Sequence, residues 1–197
     1  MAAPETLPTM ARTDFVERSP LTRQALAFAL ERHAGQTRDL DDLPFVTHPV
    51  EVACLLHEAG YPDDVVAAGV LHDVLEDTDA EHGELEARFG RGVADLVDAV
   101  SDDPSIEDHG ERKAALRRQV AGAGDFAVAV FAADKVSKAR ELRVRGSRGR
   151  FARGDDAKIA HYEASLEMLS ELIPGHRLVE QLRLELEAVH ALPTSGI

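Results

Sequence analysis

Apolar residues recur three and four apart along nearly the whole chain, the spacing of buried helix faces rather than the alternation of strands. Leu21 to Arg32 sets Leu26, Leu30 and several alanines on one face. Pro49 to Ala59 and Asp63 to Leu75 read as two helices joined by the turn Gly60-Tyr61-Pro62. A short segment from Leu85 to Phe89 stops at Gly90, and Val93 to Val100 and roughly Ile106 to Ala121 follow. The next helix runs from Asp125 to about Arg143 and opens with Phe126-Ala-Val-Ala-Val-Phe-Ala-Ala133, apolar on all sides and therefore expected to be buried. Its first residues, Phe126 to Val130, also fit a strand, but the Ala-rich continuation favours helix. Asp155 to Leu172 and His176 to Ala191 close the pattern, divided by Pro174-Gly175. Residues 1–19, rich in Ala, Pro and Thr and without period, read as a loose tail, and residues 20–192 as one all-α domain, a helical bundle. In the last helix Leu178, Leu182, Leu186 and Val189 form one face, either core or interface; oligomeric state stays open.

Composition narrows the field. The 197 residues suffice for one sizeable core. With 5% aromatic residues and no Trp, the chain lacks the stacking platforms of single-strand binders. Its net charge of -14 speaks against a nucleic-acid surface. A small phosphorylated substrate stays compatible if basic residues gather locally. The single Cys54 excludes an internal disulfide and fits a reducing cytoplasm. The first residues do not read as a signal peptide, and no apolar run approaches a membrane span.

Candidate chemistry centres on His48, the adjacent pair His72-Asp73, and Asp134, two imidazoles and two carboxylates on three expected helices. Asp134 ends the all-apolar run, where an ionised carboxylate costs several kcal/mol unless paired or metal-bound. His48 precedes Pro49, a residue favoured at a helix start, which puts the imidazole at a helix mouth. Nitrogen and oxygen ligands of this kind suit one divalent ion such as Mn, Fe or Zn. Glu76 and Asp77 follow in LHDVLEDT; on a continuous helix they lie one turn from His72 and Asp73. The plainer alternative is a core histidine beside a helical acid, with Asp134 paired to Lys135 or Arg140. Downstream, Lys135, Lys138, Arg140, Arg143, Arg145, Arg148, Arg150 and Arg153 crowd one stretch, with a mobile loop expected at Gly146-Ser-Arg-Gly149. That stretch is either a phosphate-gathering rim or a solvated balance to nearby acids.

The strings HP-x-E-V-A (His48 to Ala53), AGVLHDVLEDT (Ala68 to Thr78), FG-x-x-VA-x-LV (Phe89 to Val97) and AADKVSKAR (Ala132 to Arg140) resemble the HD-domain superfamily. Within it they resemble most the RelA/SpoT-type (p)ppGpp hydrolase domain and its small stand-alone relatives, over about Ala29 to Arg143. The resemblance implies a metal-dependent phosphohydrolase of the guanosine-3′,5′-bis(diphosphate) 3′-pyrophosphohydrolase type. It implies that His48, His72, Asp73 and Asp134 hold one metal, often Mn2+, and that Glu76 and Asp77 position and deprotonate the attacking water. Only His82 and His109 lie between the HD pair and the last Asp, which favours one metal over two. His33 and Arg38 match positions that line the nucleotide pocket, and Lys135, Lys138 and Arg140 complete the expected substrate contacts. Two departures stand out: Asp39 replaces a family Lys, and Lys138 replaces the Asn of the family string ADRLHN. Exchanging an amide for a cation changes hydrogen bonding and charge together. Two rivals follow: an HD nucleotidase of other specificity, or a binding module without turnover.

Overall fold

The computed structural model describes residues 14–38 and 43–192, and among them all regular structure is helical apart from one antiparallel bridge, Thr37 to Pro44. The helices are α1 (Asp14–Arg18), α2 (Pro20–Arg32), α3 (Thr47–Glu58), α4 (Asp63–Leu71), α5 (Val74–Asp77), α6 (His82–Phe89), α7 (Arg91–Val100), α8 (His109–Gly122), α9 (Asp125–Ser147), α10 (Asp155–Leu172) and α11 (Arg177–His190). None is long and apolar enough to cross a membrane. The all-α bundle expected from the periodicity is the one observed.

Local chemistry sets the boundaries. Ser19 accepts the Thr22 N–H at 3.2 Å and Pro20 occupies the first turn, so α2 starts there. Asp108 caps α8 through the Glu111 N–H at 2.8 Å, which delays its start from the expected Ile106 to His109. Gly60, at φ 85°, turns the chain from α3 into α4. Helix α9 lies at the centre, packed against α3, α4, α7, α8, α10 and α11. Its residues Ala127 to Ser137 are all buried, as most of its apolar run requires, whereas Phe126, expected to be buried with them, is 46% exposed in the first turn. Leu178, Leu182, Leu186 and Val189 are buried too, so the face of α11 left open above belongs to the core.

Four features differ from the sequence reading. The segment Asp14–Arg18, read as loose tail, is a helix whose Phe15 and Val16 bury against the bundle, while residues 1–13 lie outside the described residues. Helix α3 begins at Thr47, so His48 sits inside its first turn rather than before it. Helix α9 runs on to Ser147 and buries Gly146, so the expected mobile loop is shorter. The helix expected from Asp63 to Leu75 stops at Leu71, turns through His72 and Asp73, and resumes as α5. The cause is local: the His72 ring takes the carbonyl of Gly69 at 2.9 Å, one of the acceptors a helix end leaves open.

Helices α3 and α4 approach closely because Gly69 has no side chain. A Cβ there would stand 2.5 Å from Leu56 Cδ1 and 3.5 Å from Val52 Cγ1, both fully buried side chains. Gly69→Ala is therefore expected to cost about 1–3 kcal/mol by overpacking, read as a lower urea midpoint. An unchanged midpoint would show that Leu56 turns aside, or that the helix propensity gained by alanine offsets the crowding.

Candidate metal centre

The close approach of α3 and α4 brings the His48 and His72 rings face to edge, with their Nε2 atoms 3.2 Å apart. Helix α9 delivers Asp134, whose Oδ1 lies 3.2 Å from His48 Nε2 and 3.6 Å from His72 Nε2. Asp73, in the turn after α4, places Oδ1 3.1 Å from His72 Nε2 and Oδ2 3.4 Å from His48 Nε2. His48, His72 and Asp134 offer ligand atoms all within 4.8 Å of one another, and Asp73 borders that group. All four residues are buried.

The donor chemistry decides what this cluster fits. A carbonyl oxygen only accepts, so the Gly69 bond keeps the proton of neutral His72 on Nδ1 and turns the Nε2 lone pair inward. His48 Nδ1 likewise faces away, 2.9 Å from Ser137 Oγ. Asp73 Oδ2 and Asp134 Oδ1 are buried without a hydrogen-bond partner. With both imidazoles neutral, lone pairs converge on one point, an arrangement that costs free energy unless a proton or a metal cation stands there. These residues fit a divalent metal ion.

The ionisation pattern expresses the same demand. Burial pulls the His48 pKa down to about 4. Burial also works against a charged His72, but Asp73 and then Asp134 overrule it and push the pKa up to about 10. Both carboxylates stay well below their ordinary range despite burial, Asp73 mainly through His72 and Lys138, Asp134 mainly through Lys135. The site keeps negative charge and draws positive charge toward it.

Glu76 and Asp77 border the cluster from α5, and both carboxyl pKa values are raised, first by burial and then by the Asp73 charge. For Glu76 the Asp102 N–H, 2.7 Å from Oε1, partly opposes this. Asp102 is held in turn by Lys113 and by Arg112 at 3.5 Å. His33 packs its ring on Phe45 and bonds Gln36 at 2.8 Å; the Gln36 amide then donates to the Asp77 carbonyl at 2.9 Å. The α2–α3 connection is thus tied to the acidic pair.

The expected substrate-binding cations divide. Lys138 extends toward the cluster, its Nζ 3.9 Å from Asp73 Oδ2 and 5.5 Å from the Phe45 ring centre. Arg38 lies beside Thr47 and Glu141, 3.4 Å from each. Asp39 lies outside the described residues. Lys135 is buried, 2.5 Å from Asp134 Oδ2 and over the Phe131 ring, the pairing weighed above as the plainer alternative. Arg140 turns to Glu51 at 2.5 Å and to Glu185 at 2.9 Å, away from the pocket. Arg143 also meets Glu185, and Arg145 pairs with buried Asp155. Of the basic stretch, Arg148, Arg150 and Arg153 are exposed.

A helical bundle that gathers two histidines and two aspartates in this way is that of an HD-domain protein. The family model described as HD domain matches residues 25–154, and the chain belongs to that family. It is 36% identical over 168 residues to the bifunctional (p)ppGpp synthase/hydrolase SpoT of Escherichia coli (strain K12), covering 84% of this chain and 23% of that protein. It is 40% identical over 122 residues to the guanosine-3′,5′-bis(diphosphate) 3′-pyrophosphohydrolase MESH1 of Homo sapiens, covering 60% of this chain and 68% of that one. The solved structure of a metazoan ortholog of SpoT that hydrolyses ppGpp superposes with a TM-score of 0.75 at 30% identity, over 86% of this chain and 95% of the other.

Behind Asp134 lies a buried histidine to which the sequence assigned no role, His161 of α10, whose Nδ1 accepts from Arg117 Nη1 at 2.6 Å. Burial, then Lys135 and Arg117, lower its pKa from 6.5 to about 2. The unfolded chain therefore binds this proton while the folded chain refuses it, so the stability that His161 contributes is present above pH 6.5 and falls as pH drops below it. Replacing the ring by an amide that can still accept from Arg117, His161→Gln, is expected to remove up to about 2 kcal/mol of the stability lost between pH 7 and pH 5. Urea titrations at both pH values measure it; equal losses in both proteins would assign the acid sensitivity elsewhere.

Proposed function

We propose that this chain is a metal-dependent phosphohydrolase that removes pyrophosphate from the 3′ position of a guanosine tetra- or pentaphosphate, with His48, His72, Asp73 and Asp134 as ligands of one Mn2+ ion. The observation that carries the reading is the convergence of two inward Nε2 atoms with two partnerless carboxylate oxygens, beside two carboxyl groups of raised pKa. The similarity to SpoT and MESH1 supplies the substrate class. The lone buried Cys54 fits a cytoplasmic location.

A divalent ion bound there polarises a phosphoryl oxygen and lowers the pKa of nearby water toward 7. The protein's own part is geometric and protonic. Asp77 or Glu76, charged but with raised proton affinity, accepts a proton as the water oxygen bonds to phosphorus. The bond from phosphorus to the 3′ oxygen breaks, the carboxyl group or solvent returns a proton to that oxygen, and pyrophosphate and the 3′-hydroxyl nucleotide leave. Lys138 and Arg38 hold phosphate charge at the rim, where a small cleft of about 100 Å³ is lined by Lys138, Glu141, Arg145, Lys158 and Tyr162.

A second reading, another phosphorylated nucleotide at the same centre, is favoured by one residue. Lys138 stands where the family string carries Asn, so a cation faces the substrate in place of an amide.

The deciding assay measures phosphate and pyrophosphate release with Mn2+ from ppGpp, pppGpp, NADPH and common nucleotides. Pyrophosphate release from ppGpp is expected, abolished together with Mn2+ binding in His72→Ala. Asp77→Ala should keep Mn2+ and lower kcat by about 10²–10⁴-fold. Release only from another nucleotide would move the substrate to the second reading, and Lys138→Asn should then shift the panel toward ppGpp. Silence across the panel with Mn2+ bound would reduce the chain to a binding module.

A further inference from the structure

Most helical serines here satisfy their own helix. Ser165 and Ser170 each donate to the carbonyl four residues back, and Ser147 to the carbonyl three back, as serines in helices commonly do. Ser137 of α9 does otherwise. It is buried and reaches across to α3, donating to Glu51 Oε2 at 2.9 Å while lying 2.9 Å from His48 Nδ1. A hydroxyl has one proton, and a carboxylate can only accept it. Ser137 Oγ therefore receives its second bond as an acceptor, from the Nδ1–H of His48.

The carboxylate is itself anchored. Glu51 Oε1 accepts from Arg140 Nη1 at 2.5 Å, and Arg140 Nε donates to Glu185 Oε1 of α11 at 2.9 Å. Glu185 Oε2 is fixed in turn by Arg143 Nε at 2.5 Å. Each link has one possible direction of donation, so the chain from α11 through α9 to α3 has one arrangement of protons. It ends with the His48 proton on Nδ1 and the Nε2 lone pair facing His72, Asp73 and Asp134.

We propose that Ser137 and Glu51, anchored by Arg140 and Glu185, are positioning residues that hold His48 in the tautomer and orientation that bind metal. The proposal rests on the reading of His48 as a ligand. It gives Arg140 a role other than substrate contact, and it accounts for a buried hydroxyl and a half-buried carboxylate that the hydrolytic reaction does not use. Without the hydroxyl, His48 Nδ1 loses its acceptor in a buried setting. The proton then moves to Nε2, into the space a cation would fill. Without Glu51, the Ser137 hydroxyl is released to donate to Nδ1, which selects the same wrong tautomer.

Two readouts test this without substrate. In metal-free protein, ¹⁵N NMR of the histidine side chains should show His48 protonated at Nδ1 in the wild type and at Nε2 in Ser137→Ala and Glu51→Ala. Mn2+ titration should show affinity weakened by about 10–100-fold in both variants, the usual cost of losing such a supporting contact. Ser137→Thr keeps the hydroxyl and should retain both the wild-type tautomer and the wild-type affinity. The proposal is overturned if His48 keeps Nδ1–H in both alanine variants, if their Mn2+ affinity is unchanged, or if Ser137→Thr loses as much as Ser137→Ala. A wild type that binds no Mn2+ would refute His48 as a ligand, while the tautomer shift would still decide the hydrogen-bond chain.

Discussion

The structure depends on burying acceptors that have nothing to accept from. Asp134 must sit on α9 among residues that see no water, and Asp73 and two imidazole nitrogens converge on it. A cluster of this kind is stable only with positive charge inside or beside it. The protein's own answers are incomplete. Lys135 neutralises the far oxygen of Asp134, Lys138 stands at 3.9 Å from Asp73, and a proton on His72 occupies the interior. None of these brings a donor to Asp73 Oδ2 or Asp134 Oδ1, which is the physical case for a metal ion.

Packing and chemistry meet at Gly69. Its missing side chain lets α4 settle against Leu56 and Val52 of α3, and its carbonyl fixes the His72 ring. The same bond caps α4, so the helix ends where the imidazole must face inward and the chain turns to present Asp73. Helix α5 then carries Glu76 and Asp77 along the rim. His72 and Asp73 keep near-helical backbone through the turn, and their side chains meet at one point, with His72 Nε2 3.1 Å from Asp73 Oδ1.

This division explains what the sequence disclosed and what it withheld. Helix positions were legible because apolar periodicity and the Gly-Tyr-Pro and Pro-Gly punctuation act locally. The four inward residues were legible because a carboxylate following an all-apolar run, or an HD pair inside one, is costly in any fold. The stop at Leu71 was hidden, since Ala68 to Leu75 continues the helical pattern and the signal that ends it is a side-chain bond rather than a Gly or Pro. The burial of Phe15 and Val16 was masked by a preceding segment of Ala, Pro and Thr. Ser137 and Glu51 fall inside two of the strings that carry the resemblance, but nothing in the sequence gave either a role. One looks like a small helical residue and the other like an exposed acid, and their partnership exists only once α3 lies on α9. Arg140 and Lys135 were expected at the substrate, with pairing to Asp134 as the plainer alternative; Asp134 does hold Lys135, while Glu51 and Glu185 hold Arg140, a pairing that tertiary structure alone creates.

The fate of the basic stretch bears on how such a site takes an anion. Arg140, Arg143 and Arg145 each hold a carboxylate of another segment, so their charge ties α11 and the start of α10 to α9. Beside Lys135, which Asp134 holds, the cation at the cluster is Lys138, drawn inward by Asp73 and kept charged by it despite burial. In a protein of net charge -14, a phosphate meets little general attraction, and its binding must be decided within a few ångströms of the centre. There a lysine is a point charge without the directional donor and acceptor of an amide. On the proposed function, such a rim would hold phosphate strongly and a sugar weakly, which would place the burden of nucleotide selectivity on the shape of the surrounding cleft rather than on the residue beside the proposed ligands.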